Sequence, residues 1–257
     1  MNTLLENLEK SVYEKLCYLP NAIKLKVIKQ TDVTIVNSNL ATSMFNIVCN
    51  TNFSEGILNN KINEIINSFN EQPFAWWLGP SNKSLKLREE LVKKGFIKES
   101  PEYILCNSLE NLNHIHQSKS ELKITRVNNF RELEDFASII KPYDEKAGYF
   151  FDKLLNSNIL NDNNYHFFIG YYNNIPVTIG TLFFNQDYAG AFDLITIPQY
   201  RGKGFAKDMV LYRLNFAKEN NMKYFYLSAS SEISANIYKK LGFDVLGNFD
   251  CYEWKGK

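Results

Sequence analysis

The sequence predicts an α/β protein built from two tandem lobes. Runs rich in β-branched and aromatic residues alternate with amphipathic helical patterns along the whole chain. A strand, a glycine-containing turn and a helix follow one another around Gln199–Ala206, and a weak internal repeat relates the two halves. With 257 residues, 45% of them hydrophobic, the chain can form one large or two small globular domains.

Composition narrows the classes of function. The net charge of +1 gives no indication of a nucleic-acid-binding or membrane-binding surface. The four cysteines form no Cys-x-x-Cys motif, which is typical of reduced thiols in a cytosolic protein. No apolar run approaches the length of a membrane span, and Glu6 and Glu9 argue against a signal peptide. We therefore expect a cytoplasmic protein.

The first half begins with an amphipathic helix, predicted over residues 3–19 because leucine and valine recur at helical spacing until Pro20. A strand at Phe74–Leu78 ends where Gly79-Pro80 follows. The other elements predicted here are strands at Thr34–Val36, Met44–Val48 and Glu102–Cys106, and helices at Glu55–Asn70 and from Leu85 to Gly95.

A weak repeat links the halves. Trp77-Leu78-Gly79-Pro80 and the later Leu91-Val92-Lys93-Lys94-Gly95-Phe96 parallel Tyr226-Leu227-Ser228-Ala229 and Tyr238-Lys239-Lys240-Leu241-Gly242-Phe243. We interpret the first half as a degenerate copy of the second, with Leu91 in the place of Tyr238. Two roles stay open for it: a lobe that serves substrate binding or dimer formation, and a retained structural half. Of Trp76 and Trp77, alternation along the strand predicts that one belongs to the core, and either could line a substrate cleft.

The halves are joined by a polar segment, Asn107–Glu121, which carries His114 and His116. A His-x-His pair can bind a metal ion, but no third ligand is near in sequence, so we favour a solvated linker and predict no metal site. The domain boundary is predicted near residue 118, which gives domains 1–118 and 119–257.

The second half is predicted to alternate strands and helices around a hairpin at Asn173-Asn174, a turn-forming pair. Pro142 separates the first two helices. The predicted strands are Leu122–Arg126, Tyr165–Tyr172, Ile175–Phe184, Ala191–Ile197, Lys223–Leu227, Phe243–Leu246 and Asp250–Trp254, and the helices are Phe130–Ile140, Asp144–Leu155, one ending at Asn220, and Glu232–Leu241.

The turn after Ala191–Ile197 reads Gln199-Tyr200-Arg201-Gly202-Lys203-Gly204-Phe205-Ala206. The start of a helix leaves backbone N–H groups unpaired and carries partial positive charge. Glycine lets that backbone approach a phosphate closely, and Arg201 and Lys203 add full positive charge. The turn lacks the Gly-Lys-Ser/Thr ending of a Walker A loop and the three glycines of a dinucleotide fingerprint.

The spacing Gln-x-x-Gly-x-Gly resembles the acyl-CoA pyrophosphate loop of the GCN5-related N-acetyltransferases, the GNAT superfamily. The ending Tyr238-Lys239-Lys240-Leu241-Gly242-Phe243 resembles the family's C-terminal motif, and the order of elements over residues 121–256 is similar to the family's. The resemblance implies the GNAT fold, a mixed and mostly antiparallel central sheet flanked by helices. The first half lacks the Gln-x-x-Gly-x-Gly loop.

The resemblance also implies acetyl-CoA as the donor and an amine as the acceptor. The strand before the loop is expected to bulge away from its neighbour, so that its backbone groups pair with the pantetheine arm. Backbone N–H groups of the loop would hold the pyrophosphate, and Asn236 is placed with these contacts, because the position of the family's asparagine is Ser231 here. The residues so implied are Leu194, Ile195, Thr196, Ile197, Arg201, Gly202, Lys203, Gly204, Phe205, Ala206 and Asn236.

Transfer requires a neutral amine, so a base must remove a proton, and the leaving thiolate must regain one. Asp193, on the strand beside the thioester, is our first choice of base, and Glu145 and Asp144 are alternatives. Tyr238 matches the family's general acid. Since the thioester passes its acyl group directly, no nucleophilic cysteine is required, and Cys251 is interpreted as a packing residue. Asp193 and Tyr238 could instead be purely structural.

The acceptor is expected between the helix Asp144–Leu155 and the final strands, where Asp144, Glu145 and Asp152 could attract a cation and Tyr143, Tyr149 and Phe150 could pack on it. A charged helical face explains the same residues without a ligand. Three hypotheses stay open: an N-acetyltransferase acting on a small molecule or protein amine, a non-catalytic acyl-CoA-binding module, and an antibiotic-modifying enzyme. The chain could act as a monomer or a homodimer.

Overall fold

A computed structural model of the chain describes residues 3–114 and 120–256. His116 and the boundary predicted near residue 118 lie outside the described residues. The chain divides into two compact units: an N-terminal unit, Met1–Tyr103 with Gly247–Lys257, and a C-terminal unit, Ile104–Leu246. The sequence did not indicate that the last residues group with the N-terminal unit, and the division into domains 1–118 and 119–257 stays a prediction.

Within the described residues the chain forms seven α-helices and twelve strands. The helices are α1 (Thr3–Ala22), α2 (Leu58–Ser68), α3 (Leu85–Lys93), α4 (Phe130–Ile140), α5 (Glu145–Leu155), α6 (Phe205–Glu219) and α7 (Glu232–Lys240). The strands are β1 (Lys26–Lys29), β2 (Thr34–Asn37), β3 (Ile47–Cys49), β4 (Phe74–Leu78), β5 (Ile97–Lys98), β6 (Glu102–Ser108), β7 (Lys123–Arg126), β8 (Tyr165–Tyr172), β9 (Ile175–Asn185), β10 (Tyr188–Thr196), β11 (Tyr224–Ala229) and β12 (Asp244–Trp254).

In the N-terminal unit the strand order is β1-β2-β3-β4-β12, and β5 also pairs with β12. Only β3 and β4 run parallel among the pairs of this unit, and the others are antiparallel. The core under this sheet centres on Trp76, which is fully buried, while Trp77 is half-buried against Phe249. The prediction that one of the two tryptophans belongs to the core is therefore confirmed.

In the C-terminal unit the strand order is β6-β11-β10-β9-β8-β7. β10 and β11 are parallel, whereas β7 to β10 pair antiparallel in succession. Helices cover both faces, because Phe167 of β8 packs on Phe136 of α4 while the next residue, Phe168, packs on Phe216 of α6. The predicted mixed, mostly antiparallel sheet flanked by helices is thus confirmed.

The hairpin between β8 and β9 turns at Asn173 and Asn174, as predicted. Both residues adopt a positive φ, 50° and 63°, which asparagine tolerates better than most residues. Each has the left-handed backbone that a tight two-residue hairpin needs.

Several predicted boundaries differ from the structure, and the strand predicted at Met44–Val48 is Ile47–Cys49. Two further differences have a clear physical reason. The first helix continues past Pro20 to Ala22, because a proline this close to a helix end removes few hydrogen bonds and the Leu19 and Pro20 carbonyls still accept from Ile23 and Leu25. The two final strands form one strand, β12. Gly247 makes no turn there, and its missing side chain lets the strand pass close to other residues of the N-terminal unit.

Two short strands, β1 and β5, were not predicted. Both are too short to show a clear alternation of apolar and polar residues. Among the described helices, none combines the length and the apolar character that a membrane span requires.

Candidate active site

The strand β10 bulges in the middle of its pairing with β9. Phe192 is opposite Thr181 and Ile195 is opposite Ile179, so Asp193 and Leu194 together face only Gly180. Asp193 has a φ of 53°, a left-handed conformation that is uncommon for a residue other than glycine. The bulge expected from the sequence is therefore present, and the residue that forms it is the predicted base.

A crevice opens between β10 and β11 beyond this bulge. Their parallel pairing ends at Ala191 and Leu227, although β10 runs on to Thr196. The Ile197 N–H donates to the Val177 carbonyl on the β9 side, 3.0 Å away. Backbone groups alternate in direction along a strand. The N–H and C=O groups of Ile195 therefore also point towards β9, and those of Thr196 point away from it. The crevice lies at the carboxyl ends of two parallel strands, a frequent ligand-binding position in sheets flanked by helices.

The glycine turn follows β10 at the edge of this crevice. Gly202 and Gly204 have φ values of 80° and 84°, in the left-handed region that favours glycine. Gly204 is the N-cap of α6, and a side chain added at Gly202 would meet no atom within 4 Å. The turn therefore exposes its backbone and the first N–H groups of a long helix, as an anion-binding site requires.

The two cationic side chains of the turn are anchored by neighbouring groups. Arg201 donates from Nε to the Thr196 carbonyl and from Nη2 to the Tyr143 hydroxyl, each at 3.0 Å. The Nζ atom of Lys203 lies 5.2 Å from the Tyr172 ring centre and 5.0 Å from that of Tyr200. These contacts fix the shape of the turn and keep two positive charges beside it.

The exposed Asp193 carboxylate is held by two hydroxyl groups. Its Oδ2 atom accepts from Thr181 Oγ1 at 2.6 Å and from the Tyr165 hydroxyl at 3.4 Å. Tyr165 is buried, and burial together with the charge of Asp193 raises its pKa well above the ordinary value, so it stays a donor at neutral pH. The carboxylate therefore has a defined position on the bulge.

Tyr238 lies on α7 and is half-buried. Burial raises the pKa of its hydroxyl above the ordinary value, and the charge of Arg213 opposes part of that rise. The ring packs against Phe243, and no hydrogen bond among the described residues engages the hydroxyl. Tyr238 is therefore protonated at neutral pH and has a proton to give.

The residues around Tyr238 explain the departure from the family pattern. Ser231 is the N-cap of α7, where its Oγ atom accepts from the Ser234 N–H at 3.2 Å in a reciprocal capping box. Its hydroxyl is therefore used to begin the helix. Asn236 is exposed on the same helix, and its contact with CoA stays a prediction.

Several residues suggested for the acceptor have other roles. Asp144 caps α5 by accepting from the N–H groups of Lys146 and Ala147, which makes it a poor candidate for a base. Phe150 is fully buried in the core, so it was wrongly placed in a cleft. Tyr143 accepts the hydrogen bond from Arg201 described above.

Two acidic residues and one aromatic residue of α5 remain on its surface. Asp152 lies 3.6 Å from Lys141, and both side chains are about half exposed. Tyr149 is exposed, with Lys146 5.6 Å from its ring centre, and Glu145 is exposed in the first turn. The charged face of an exposed helix accounts for these contacts, so an acceptor site here stays a prediction.

The corresponding crevice in the N-terminal unit is bridged by hydrogen bonds between its own side chains and Thr51. The parallel pairing of β3 and β4 ends after Val48 and Trp76. Beyond it, Trp76 Nε1 donates to Thr51 Oγ1 at 2.9 Å and Asn82 Nδ2 donates to the Thr51 carbonyl at 2.8 Å. The buried Glu9 also accepts from the N–H and hydroxyl of Ser81, at 2.9 and 2.6 Å. A cavity of about 360 Å³ remains beside this bridge, lined mainly by polar residues.

The helix ends of the repeat agree closely. Phe96 N–H donates to the Leu91 carbonyl at 3.1 Å, and Phe243 N–H donates to the Tyr238 carbonyl at 3.2 Å. Gly95 adopts a φ of 93° beside the first of these bonds. Leu91 occupies the N-terminal position that corresponds to Tyr238. It is fully buried, and a leucine side chain supplies no hydroxyl group.

Three residues of the site were not predicted from the sequence: Thr181, Tyr165 and Arg213. Arg213 is fully buried, and its Nη1 atom donates to the Thr181 and Phe192 carbonyls. It follows Met209 by one helical turn, so a charged residue on the inner face of α6 was the available signal. Thr181 and Tyr165 gave no comparable signal, because their role depends on pairing between strands.

The described residues indicate neither a reactive cysteine nor a metal site. All four cysteines are buried and free, and burial raises the pKa of the Cys251 thiol, in agreement with a packing role. Among residues 3–114 and 120–256, no group of three or more His, Cys, Asp or Glu side chains is placed to hold a metal ion.

Comparisons with known proteins identify the C-terminal unit. The model of the acetyltransferase (GNAT) family matches residues 129–243. A GCN5-related N-acetyltransferase from Kribbella flavida is similar in structure, with a TM-score of 0.72, 12% identity, and 97% of this chain and 96% of that chain covered. A functionally unknown conserved protein from Staphylococcus epidermidis gives a TM-score of 0.70, 13% identity, and 91% and 96% covered.

A tandem GNAT protein from the clavulanic acid biosynthesis pathway also shares the fold, with a TM-score of 0.58, 7% identity, and 81% of this chain and 74% of that chain covered. No curated protein matches the sequence. At these identities the structural likeness concerns the fold alone. Residues 129–243 therefore match the GNAT acetyltransferase family, and the fold seen in a GCN5-related N-acetyltransferase extends over nearly the whole length of the chain.

Proposed function

We propose that the chain is an acetyl-CoA-dependent N-acetyltransferase that transfers an acetyl group directly to a primary amine of a small molecule or a protein. The match of residues 129–243 to the GNAT family model supports acetyl transfer from acetyl-CoA. The observation that carries the proposal is the pair Gly202 and Gly204, whose left-handed backbone opens a helix N-terminus at the edge of the β10–β11 crevice. In this proposal residues 119–257 perform the reaction, and residues 1–118 support the substrate side or the fold.

The described residues fit acetyl-CoA. The backbone of Gly202–Ala206 would receive the diphosphate, and a Cβ atom built at Gly202 meets no atom within 4 Å. Arg201 would contribute its charge, since its N–H donates to the Pro198 carbonyl at 3.2 Å. The pantetheine arm would extend along β10, where Thr196 faces away from β9. When bound, acetyl-CoA supplies an activated thioester, and the protein must place the amine and move the protons.

Asp193 is the proposed base and Tyr238 the proposed acid. Asp193 removes one proton from the ammonium group, and the neutral nitrogen then forms a bond to the thioester carbon and releases its second proton to water. A backbone N–H of the bulged segment stabilises the negative charge that develops on the carbonyl oxygen. When the carbon–sulfur bond breaks, Tyr238 gives its proton to the departing thiolate, so the products are an amide and free CoA.

The acceptor is proposed to approach the exposed side of the Asp193 carboxylate, since the buried Tyr165 and Thr181 hold it from the other side. A fixed negative charge at this position favours a cationic amine before its proton is removed. Small polyamines, amino acids, aminoglycosides and peptides with a free amino group therefore form the panel to be tested.

The test is release of the CoA thiol, measured for the full chain with acetyl-CoA and each member of that panel. We expect at least one amine to raise thiol release above the rate with acetyl-CoA alone, and mass spectrometry to detect the acetylated amine. Binding of CoA without turnover on a wide range of amines would instead support a non-catalytic acyl-CoA-binding module. Absence of CoA binding would overturn both alternatives.

A further inference from the structure

Arg213 occupies an unusual position for an arginine. It lies on α6, and its side chain is buried with 1% of its surface exposed. Burying an unpaired guanidinium is costly, so its hydrogen bonds must offset the loss of water. Nε donates to the Met209 carbonyl at 3.2 Å, one turn earlier on the same helix.

The remaining hydrogen bonds place the guanidinium under the bulge. Nη1 donates to the Thr181 carbonyl on β9 at 2.8 Å and to the Phe192 carbonyl on β10 at 2.9 Å. Phe192 and Thr181 are the last opposed pair before the bulge. A single nitrogen therefore joins the two strands at the point where β10 leaves its regular register.

Gly180 provides the space for this arrangement. It is the residue opposite Asp193 and Leu194, and a Cβ atom built on it would lie 2.9 Å from both Cζ and Nη1 of Arg213. Any larger residue at position 180 would have to displace the guanidinium. The glycine and the buried arginine thus form one structural device.

The charge of Arg213 persists in its buried site. Burial lowers the pKa of the guanidinium to about 10, against the opposing influence of Tyr238 and Asp193. Arg213 is still protonated at neutral pH and acts on both residues of the proposed proton transfer. Nη1 contacts the carbonyl of Phe192, the residue before Asp193, so the guanidinium acts on Asp193 through the backbone as well as through charge.

We propose that Arg213 is a positioning residue for acetyl transfer: it locks the β10 bulge so that Asp193 and the backbone N–H groups beside it face the reacting thioester. This inference rests on the proposed function of the same site. It differs from a role in folding alone, because it predicts a loss of turnover that exceeds any loss of acetyl-CoA affinity. Among the described residues, the hydrogen bonds of Arg213 go to Met209, Thr181 and Phe192 and not to the glycine turn that would bind the diphosphate.

The experiment compares Arg213→Met, which keeps a long side chain without charge or donors, with Arg213→Lys, which keeps the charge and a donor. The control is Arg126→Met, because Arg126 also donates to two backbone carbonyls, those of Leu160 and Asp162, away from the bulge. Each variant is measured for acetyl-CoA affinity by calorimetry and for kcat with the best amine of the panel. Amide hydrogen exchange at residues 192–194 reports on the bulge itself.

We expect Arg213→Met to lower kcat about 100-fold, as small displacements of reacting groups do, with acetyl-CoA affinity changed by less than roughly threefold. Arg213→Lys should recover about a tenth or more of the wild-type kcat. Exchange at the bulge should accelerate in Arg213→Met and stay unchanged in Arg126→Met.

Three results would overturn the inference: wild-type kcat in Arg213→Met, equal losses of kcat and affinity, or no difference between the Lys and Met variants. If Arg213→Met does not fold, Gly180→Ala decides, because it displaces the guanidinium without removing its charge, and a normal kcat in that variant would contradict us. Turnover at the wild-type rate in these variants would contradict this inference and leave the proposed function unaffected. A wild-type chain that neither binds acetyl-CoA nor releases thiol would remove both.

Discussion

The two units contain the same supersecondary arrangement, but different side chains line it. In each, two parallel strands separate towards their carboxyl ends, β3 and β4 in one unit and β10 and β11 in the other. In each, a helix follows the second strand and ends in the same pattern of glycine and hydrogen bonds. The backbone therefore offers two equivalent crevices, and the side chains decide what each can do.

The crevice of the C-terminal unit is bordered by Gly202 and Gly204, with Arg201 and Lys203 beside them. The corresponding loop in the N-terminal unit runs from Asn50 to Ile57, carries Glu55, and has a single glycine, Gly56, without a positive φ. Asn50 is the residue of this loop that adopts a left-handed backbone, with a φ of 51°. The negative charge of Glu55 and the lack of a glycine pair disfavour a diphosphate.

The N-terminal crevice also differs because hydrogen bonds from its own side chains bridge it. Trp76 and Asn82 bridge to Thr51 across the space that is open between β10 and β11. Such buried hydrogen bonds stabilise the unit only while every partner is satisfied. At the same position of the fold, one unit therefore has internal hydrogen bonds and the other has an exposed glycine turn.

The largest effect is expected from Gly204→Glu. The substitution forces a residue with a side chain into a left-handed backbone and places a carboxylate where the diphosphate would bind. We expect CoA affinity to fall by about 100-fold or more in calorimetry. Gly56→Glu is the matched control, because it makes the same change in the corresponding N-terminal loop, where the added side chain meets no atom within 4 Å. Equal losses in both variants would contradict the assignment of the site.

Tyr238→Phe removes the hydroxyl group that is the proposed acid and keeps the rest of the side chain. We expect kcat in the thiol-release assay to fall about 100-fold, a typical contribution of general acid catalysis, with CoA affinity preserved. Tyr212→Phe serves as the control, since Tyr212 belongs to the same unit and its ring packs on Phe168. A variant at Tyr238 with normal kcat would leave this tyrosine a structural role, like that of Leu91 in the other unit.

Asp250→Asn tests what stabilises the N-terminal unit. Burial raises the pKa of Asp250, but the hydrogen bonds from Arg88 and Lys98 outweigh it and hold the pKa below the usual range. The carboxylate therefore contributes stability above the unfolded pKa of about 3.9, and the contribution is lost as pH falls through the lower folded pKa. We expect the variant to lose about 1–2 kcal/mol in urea unfolding at pH 7 and to approach the wild type in acid.

The control for that measurement lies in the other unit. Asp187 forms an ion pair with Lys223 at 2.9 Å, but at least half of each side chain is exposed. Asp187→Asn should change the free energy of unfolding by less than about 0.5 kcal/mol. A larger loss for Asp187→Asn than for Asp250→Asn would show that burial does not decide the strength of these pairs.

The smallest effect is expected from Lys203→Gln. Its ammonium group is held over Tyr172 and Tyr200, so its charge is fixed near the turn without direct insertion into it. We expect CoA affinity to fall only about two- to threefold, with a weaker dependence on salt. A loss as large as that of Gly204→Glu would mean that the side chain, and not the backbone, provides most of the binding.

Local patterns predicted much of the fold and the backbone shape of the glycine turn. The turn could be predicted because Gly202, Gly204 and the helix after them are adjacent in sequence, and the Asn173-Asn174 hairpin for the same reason. Arg213 and the hydroxyl groups of Tyr165 and Thr181 could not, because they meet Asp193 or the bulge only after β8, β9, β10 and α6 have packed. Phe150 was misplaced for a related reason: helical spacing shows which residues share a face but not how deeply that face is buried.

We propose that the chain has one nucleotide site, at Gly202 and Gly204, and that the N-terminal crevice, which its own side chains bridge, binds no nucleotide. Titration of the full chain with acetyl-CoA in a calorimeter tests it most directly. We expect one molecule bound per chain and no measurable heat of binding with Gly204→Glu. Two molecules bound per chain, or one molecule bound equally well by Gly204→Glu, would contradict the account.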